Sequence, residues 1–297
     1  MRSIPNSGLL PAEEPAENRS AVIVQDQDPV VAFLSHAHSY GLTGPVEVLE
    51  THISRVFLVG DRAFKMKRAV KLPYVDFSTP QLRLATCEKE VRYNAPAAPG
   101  LYLGVKTIHR DANGSLQFGD GGTLVDAVVE MVRFDQALLA DRLALAGELT
   151  PALMSDITAM IVQFHAQAPV VHIAGGAENI EAVLSINEAG FATSHLFAAD
   201  AVGTLARRFR DALALHAARL DRREIAGKVR RCHGDLHLRN ICLLDGEPRL
   251  FDCIEFNDQI ATIDVLYDLA FLSTDLFAAI PPCLCNLEVF YHPCQLL

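Results

Sequence analysis

The chain has 297 residues, of which 50% are hydrophobic, 21% charged and 7% aromatic, a globular composition long enough for two lobes with a real core. Its formal net charge of −10 excludes a general nucleic-acid binder, because nothing here neutralises a run of phosphates. No apolar run reaches the roughly 18–20 residues of a membrane span, and the N-terminus lacks an apolar signal core. A cytoplasmic protein with no membrane partner is therefore expected, its seven cysteines (87, 232, 242, 253, 283, 285 and 294) reduced. Residues 1–25, rich in Pro, Glu, Asn and Ser, read as a disordered tail. From Val46 short strands follow: Val46–Leu49, Arg55–Val59 and Arg62–Lys67, the last two joined by Gly60-Asp61, a two-residue hairpin signal. A polar helix runs from Pro80 to about Asn94, with Leu82, Ala85 and Val91 as a sparse apolar stripe. Leu101–His109 and Leu116–Phe118 flank the turn residues Asp111-Ala-Asn113-Gly114, and Val125–Arg133 is a further apolar strand.

After Phe134 the chain turns helical. Thr150-Pro151 pairs an N-cap with Pro at the first helical position, and Leu153, Ile157, Ile161 and Phe164 repeat at helical spacing. Ser194–Leu220 carries Val202, Leu205, Phe209 and Leu213 as a second buried stripe. Ile241–Leu244 and Arg249–Phe251 are short strands about Asp245-Gly246, and a last helical pattern spans about Ile263–Ala279. The fold class is α+β and bilobal. A small antiparallel β lobe covers 26–133, a mainly helical lobe 134–280, and an atypical tail 281–297. In that tail Cys283-Leu-Cys285 lacks the second ligand pair of a zinc site.

The chemistry is concentrated in Arg231-Cys-His233-Gly234-Asp235-Leu236-His237-Leu-Arg-Asn240, with Asp252 twelve residues further on. Phosphoryl transfer needs a carboxylate to orient the attacking hydroxyl, oxygen ligands for metal ions, and a cation on the phosphates. Asp235 is the candidate base, and Asn240, five residues on, and Asp252, after the strand, are candidate Mg²⁺ ligands. The Asp-to-Asn spacing and the hairpin leading to a second Asp are those of a kinase catalytic loop, in which His233 would be structural.

His-Gly-Asp-Leu-His-x-x-Asn, with Phe-Asp-Cys-Ile-Glu-Phe over 251–256, resembles the aminoglycoside phosphotransferase (choline-kinase-like) superfamily. Ordered matches extend the resemblance over roughly 46–275, among them Phe64-Lys-Met-Lys-Arg68, Cys87-Glu-Lys-Glu90 and Ile263-Asp264-Val-Leu-Tyr-Asp268. It implies a protein-kinase-like fold with ATP and Mg²⁺ in the cleft of an N-terminal nucleotide-binding lobe, and a small-molecule hydroxyl as acceptor. It also implies site residues. Lys65 fits best as the phosphate lysine, with Ala63 two residues before it, while Lys67 lies on the same strand face and stands beside it. Glu90 is the lysine's partner, ahead of Glu88. Glu130 to Val132 form a hinge whose backbone pairs with adenine, and Asp268 braces the catalytic loop.

The chain also departs from the pattern. No glycine-rich loop separates the first strands, so Thr51-His52-Ile53-Ser54 has to serve the phosphates with hydroxyls and backbone N–H groups. After Ala279 the sequence leaves the family's pattern, so the chain is expected to be truncated relative to that branch. Two rival functions stand beside the phosphotransferase: a metal-dependent hydrolase with His233, Asp235 and His237 as ligands, and a non-catalytic, pseudokinase-like nucleotide-binding protein.

Overall fold

The structure is a computed structural model that describes residues 22–193 and 197–279. Cys283, Cys285, Cys294 and nearly all of both proposed tails lie outside the described residues. The exception is 22–25, inside the stretch read as a tail, where the chain forms β1 (Val22–Ile23). It pairs antiparallel with β5 (Val70–Leu72), to which β6 (Val75–Asp76) also pairs.

The first lobe is a six-stranded antiparallel sheet in the order β2-β3-β4-β9-β7-β8. Its strands are β2 (Glu47–Glu50), β3 (Ser54–Val59), β4 (Arg62–Lys67), β7 (Tyr102–Arg110), β8 (Leu116–Phe118) and β9 (Thr123–Val132). Gly60-Asp61 turns β3 into β4 as expected, with Gly60 at φ 56°. Strand alternation gives the sheet two faces. Phe57, Val59, Phe64, Met66 and Val128 point to one side and pack on α1 (Asp28–Leu34) through Val30 and Leu34. Leu58, Ala63, Val129 and Met131 point to the other, toward α2 (Pro80–Asn94).

That second face holds Lys65 and Lys67, and it changes the expected character of α2. Leu82 is 41% exposed, whereas Arg83, Thr86, Cys87, Glu90 and Asn94 are buried. The helix buries a polar face because its partners on the sheet are charged. Arg83, fully buried, donates from Nε to Asp126 Oδ1 at 2.8 Å, and Gln27 Nε2 donates to Asp126 Oδ2 at 2.8 Å. Desolvation is offset here by complete pairing.

The second lobe contains α3 (Ala140–Ala146), α4 (Pro151–Gln167), α5 (Gly176–Thr193), α6 (Ala199–Ile225), α7 (Asp258–Ala261) and α8 (Val265–Ala279). Thr150 Oγ1 accepts from Leu153 N, so the Thr-Pro start of α4 forms as read. Met154, Ile157 and Ile161 of α4 share a core with Leu236, Leu238 and Ile241 of the segment that holds Asp235 and Asn240, and with Leu272 and Leu276 of α8. The stripe read on α6 is not buried: Leu205 is 42% and Phe209 52% exposed, and among the described residues α6 buries only Glu224. Helical spacing reports an apolar face, not what covers it. The pattern read as one helix from Ile263 begins with β13 (Thr262–Asp264), paired with β10 (Val229–Arg231). Among the described residues no helix is long and apolar enough to cross a membrane.

Candidate active site

The segment that holds the candidate residues leaves β10 and runs through a one-turn 3-10 helix, Leu238–Asn240, into a hairpin of β11 (Ile241–Leu244) and β12 (Glu247–Leu250). Phe251 N closes the hairpin's base by donating to Asn240 O at 3.1 Å, which places Asp252 next to Asn240 despite the eleven residues between them. Asp252 has φ 61°, a left-handed conformation that a non-glycine residue holds only where its surroundings fix it.

His233 supplies part of that fixation. Its Nε2 faces Phe251 O at 3.0 Å, and since a carbonyl can only accept, this nitrogen carries the proton. Its Nδ1 accepts from Asp235 N at 3.3 Å. Burial holds the imidazole below its ordinary proton affinity, consistent with a neutral structural ring. With both nitrogens engaged, His233 has no lone pair for a metal, which removes it from the ligand set of the hydrolase reading. Beneath the loop, buried Asp268 accepts from His233 N at 2.9 Å, Gly234 N at 2.8 Å and His165 Nε2 at 2.9 Å. Gly234 sits at φ 84° against Ile254, where a Cβ would lie 3.2 Å from Ile254 Cδ1.

Asp235 projects from this support. Asn240 Nδ2 donates to Asp235 O at 2.9 Å and to Oδ2 at 3.3 Å, and His237 Nε2 lies 3.4 Å from the same Oδ2. Partial burial raises the Asp235 carboxyl, but the His237 hydrogen bond and the charge of His237 outweigh it, so its proton affinity ends below the ordinary value. His237 moves the opposite way: burial lowers its proton affinity, and its bond to Asp235 more than restores it. Because Asn240 uses its amide hydrogens on Asp235, its Oδ1 is the atom left to ligate. That oxygen and the 42%-exposed Asp252 carboxylate are hard donors of the kind Mg²⁺ takes.

The sheet lobe meets this segment through charge. Lys65 Nζ pairs with Asp252 Oδ1 and lies 2.9 Å from Glu90 Oε1. Burial alone would lower the lysine's proton affinity, yet Asp252, Glu90 and Glu255 together raise it well above normal. For Asp252, burial raises the carboxyl and the charges of Lys65 and Lys67 pull it well below its usual range. Glu88, the weaker candidate for lysine partner, is exposed.

Lys67 is more deeply enclosed than Lys65. Its side chain is 1% exposed and enclosed by Glu90 Oε2 and Glu255 Oε1, each at 2.5 Å. Ser54 is also buried, at 2%, with its backbone paired to Lys67 and its Oγ without a hydrogen-bond partner. The segment before it is a closed turn, Thr51 N donating to Ser54 O at 2.8 Å and Ser54 N to Thr51 Oγ1 at 3.0 Å. Glu130 stands mid-sheet opposite Phe64 and Gly104, its carboxylate 3.4 Å from Lys106 Nζ. Val132 N donates to Leu101 O at 2.9 Å and Arg133 N to Asp61 O at 2.9 Å. The hinge read at Glu130 to Val132 is thus corrected: the strand continues through these residues, and the N–H groups of Val132 and Arg133 are occupied within the sheet lobe.

Three residues of the junction between lobes were not read from the sequence. Asn94, one helical turn past Glu90, accepts from Cys253 N at 2.7 Å and donates to Cys253 O at 3.3 Å. Tyr102 Oη accepts from Asp252 N at 3.0 Å. Glu255 holds Lys67 as above. The available signal was a polar residue set among buried positions: Asn94 four after Glu90, and Glu255 inside Cys-Ile-Glu-Phe.

Known proteins resemble this chain in sequence and in fold. The model of the phosphotransferase enzyme family matches residues 116–289, more than half of the chain. Uncharacterized proteins of Mycobacterium tuberculosis and Mycobacterium bovis are 30% identical to it over 239 residues, 78% of this chain and 46% of theirs. The chain thus spans about half the length of the curated relatives it matches. Among solved structures, the aminoglycoside phosphotransferase APH(3'')-Id of Streptomyces rimosus superposes with a TM-score of 0.53 at 19% identity, covering 90% of each chain. A thermostable mutant of the aminoglycoside phosphotransferase APH(4)-Ia gives 0.51 at 15% identity, covering 89% of this chain and 82% of that one. The same Streptomyces enzyme, in complex with ADP and streptomycin, gives 0.51 at 17% identity over 91% of each chain. These likenesses show the fold: a bilobal kinase-like architecture with an antiparallel sheet lobe and a helical lobe.

Proposed function

The chain belongs to the phosphotransferase enzyme family, and on that premise we propose that it moves the γ-phosphate of ATP to a hydroxyl group of a small molecule. The observation that carries this reading is the junction itself. Lys65 and Glu90 from the sheet lobe converge on Asp252, which the hairpin holds beside Asn240 and Asp235. A cation for phosphates, oxygen ligands and an ionised carboxylate then line one cleft, the parts phosphoryl transfer uses.

In this mechanism Asp235 orients the acceptor hydroxyl and takes its proton as the new P–O bond forms and the bond to ADP breaks. Its depressed proton affinity keeps it ionised at neutral pH, and Asn240 and His237 fix its direction. Lys65 Nζ, braced by Glu90, faces the phosphates. Asp252 and Asn240 would hold Mg²⁺, which would supply positive charge to offset that of the phosphates. Catalysis is then positioning and charge stabilisation without a covalent intermediate. Lys67, Ser54 and the Glu130–Val132 backbone are left out of nucleotide contact in this scheme, and adenine is assigned to the segment after Arg133.

The test is calorimetric titration with Mg²⁺·ATP, together with slow ATP hydrolysis in which water replaces the acceptor. Asp252→Ala is expected to lose Mg²⁺-dependent binding. Asp235→Ala is expected to bind within about threefold of wild type and to lose hydrolysis by roughly 10²-fold or more. A folded wild type that shows no Mg²⁺-dependent affinity, or an Asp235→Ala variant with full turnover, overturns the reading.

A further inference from the structure

Glu90 serves two lysines at once, Lys65 Nζ at 2.9 Å from Oε1 and Lys67 Nζ at 2.5 Å from Oε2. Both project from the same face of β4, two residues apart, so the strand itself does not decide which one is presented to the cleft. The difference lies beyond Glu90. Lys67 meets a second carboxylate, Glu255 Oε1 at 2.5 Å, from the helical lobe three residues past Asp252, and it lies 5.8 Å from the centre of the Phe77 ring. Lys65 meets Asp252 instead and keeps 12% of its side chain exposed, against 1% for Lys67.

We propose that Glu255 is a positioning residue that assigns the phosphate-facing role to Lys65, by holding Lys67 in the sealed junction so that Glu90 can brace Lys65. The proposal rests on the phosphotransferase reading for what Lys65 does, though not for how the lysines are sorted. Stability alone does not call for a charge at position 255. Burial first, then Glu90 and Asp252, raise its carboxyl against the pull of Lys67, and well-packed apolar residues often replace a buried ion pair without loss. Without the charge on Glu255, Lys67 keeps one carboxylate partner, Glu90. That carboxylate then turns toward Lys67 and loosens Lys65.

The experiment uses three proteins: wild type, Glu255→Gln and the double variant Lys67→Met/Glu255→Leu. Each is titrated with Mg²⁺·ATP. The first two are also labelled, free of nucleotide, with a small amine-reactive reagent, and modification of Lys65 and Lys67 is mapped by mass spectrometry. In Glu255→Gln the ratio of Lys67 to Lys65 labelling is expected to rise about threefold or more and Mg²⁺·ATP affinity to fall about tenfold. The double variant, in which Glu90 has a single lysine left, is expected to bind within about threefold of wild type. General loosening of the junction would raise both lysines together and leave the ratio unchanged, which overturns the proposal. A folded double variant as weak as Glu255→Gln also overturns it, because Lys67 or Glu255 would then act on the nucleotide directly. A wild type that fails to bind nucleotide while the labelling ratio responds removes the phosphotransferase reading and leaves the sorting of the lysines standing.

Discussion

Replacing Asp268 by alanine tests whether the loop that carries His233 and Asp235 is held from below. Its carboxylate, 0% exposed, accepts from His233 N at 2.9 Å, Gly234 N at 2.8 Å and His165 Nε2 at 2.9 Å. Hydrogen bonds to a charged group contribute roughly 1.5–3 kcal/mol each, and an orphaned buried donor costs about 1–3 kcal/mol. The three do not add in full, because they share one acceptor site and the loop can relax toward water. A loss of about 4 kcal/mol follows, within the range for breaking a buried charged network. At about 2–4 °C per kcal/mol, Tm should fall by roughly 8–16 °C. Thermal and urea unfolding measure the loss, and hydrogen exchange at His233 and Gly234 locates it. Because His165 acts through the same carboxylate, Asp268→Ala/His165→Leu should cost clearly less than the two single changes summed. A loss under about 1 kcal/mol with unchanged exchange at both amides would refute the reasoning.

The other tests probe neighbouring parts. Gly234→Ala places a side chain at φ 84° and 3.2 Å from Ile254 Cδ1, so it should cost at least about 1–2 kcal/mol and lower ATP hydrolysis, whereas Gly246→Ala, at φ 81° in the open hairpin turn, should cost the conformational part alone. Arg83→Met removes the buried cation that faces Asp126, and a loss of roughly 3–5 kcal/mol in urea unfolding is expected. The Asp252 carboxyl is pulled from its ordinary 3.8 to about 2 in the folded chain, so its stabilising contribution is complete above 3.8 and disappears as pH falls toward 2. Lys65→Met should move that acid limb upward. Glu255 shifts the opposite way, so the two carboxyls must be titrated separately by carbon NMR, and an Asp252 titration unmoved by Lys65→Met would refute the assignment.

The features legible in the sequence were those set by local rules. Gly60-Asp61 and Asp245-Gly246 announce their hairpins because few residue pairs take those turns, and Thr150-Pro151 announces a helix start. Asp235, Asn240 and Asp252 were legible as a set, because loop spacing and the short hairpin both lie within one stretch of chain. Pairing across the fold was less accessible. Lys65 and Lys67 have equivalent local patterns, and only Glu255, 188 residues away from Lys67, separates them. Asn94 and Arg83 lie on a helix whose sequence reads as polar, and their partners Cys253 and Asp126 come from distant segments. The α6 stripe misled in the other direction, as amphipathic spacing is the same whether or not a neighbour covers the face.

The hairpin after Asn240 behaves as a caliper. Strand register, Ile241 opposite Leu250 through Leu244 opposite Glu247, together with the Phe251-to-Asn240 bond, sets the gap between the two jaws, Asn240 and Asp252. The length of the handle at Asp245-Gly246 does not enter that gap. Chain inserted at the tip leaves the jaws where they are, while a single residue removed from either strand turns every following side chain to the opposite face and carries Asp252 away from Asn240. Length variation in this region is therefore free at one point and forbidden a few residues to either side, and the tip is where a reporter group or an added segment can be attached without disturbing the site.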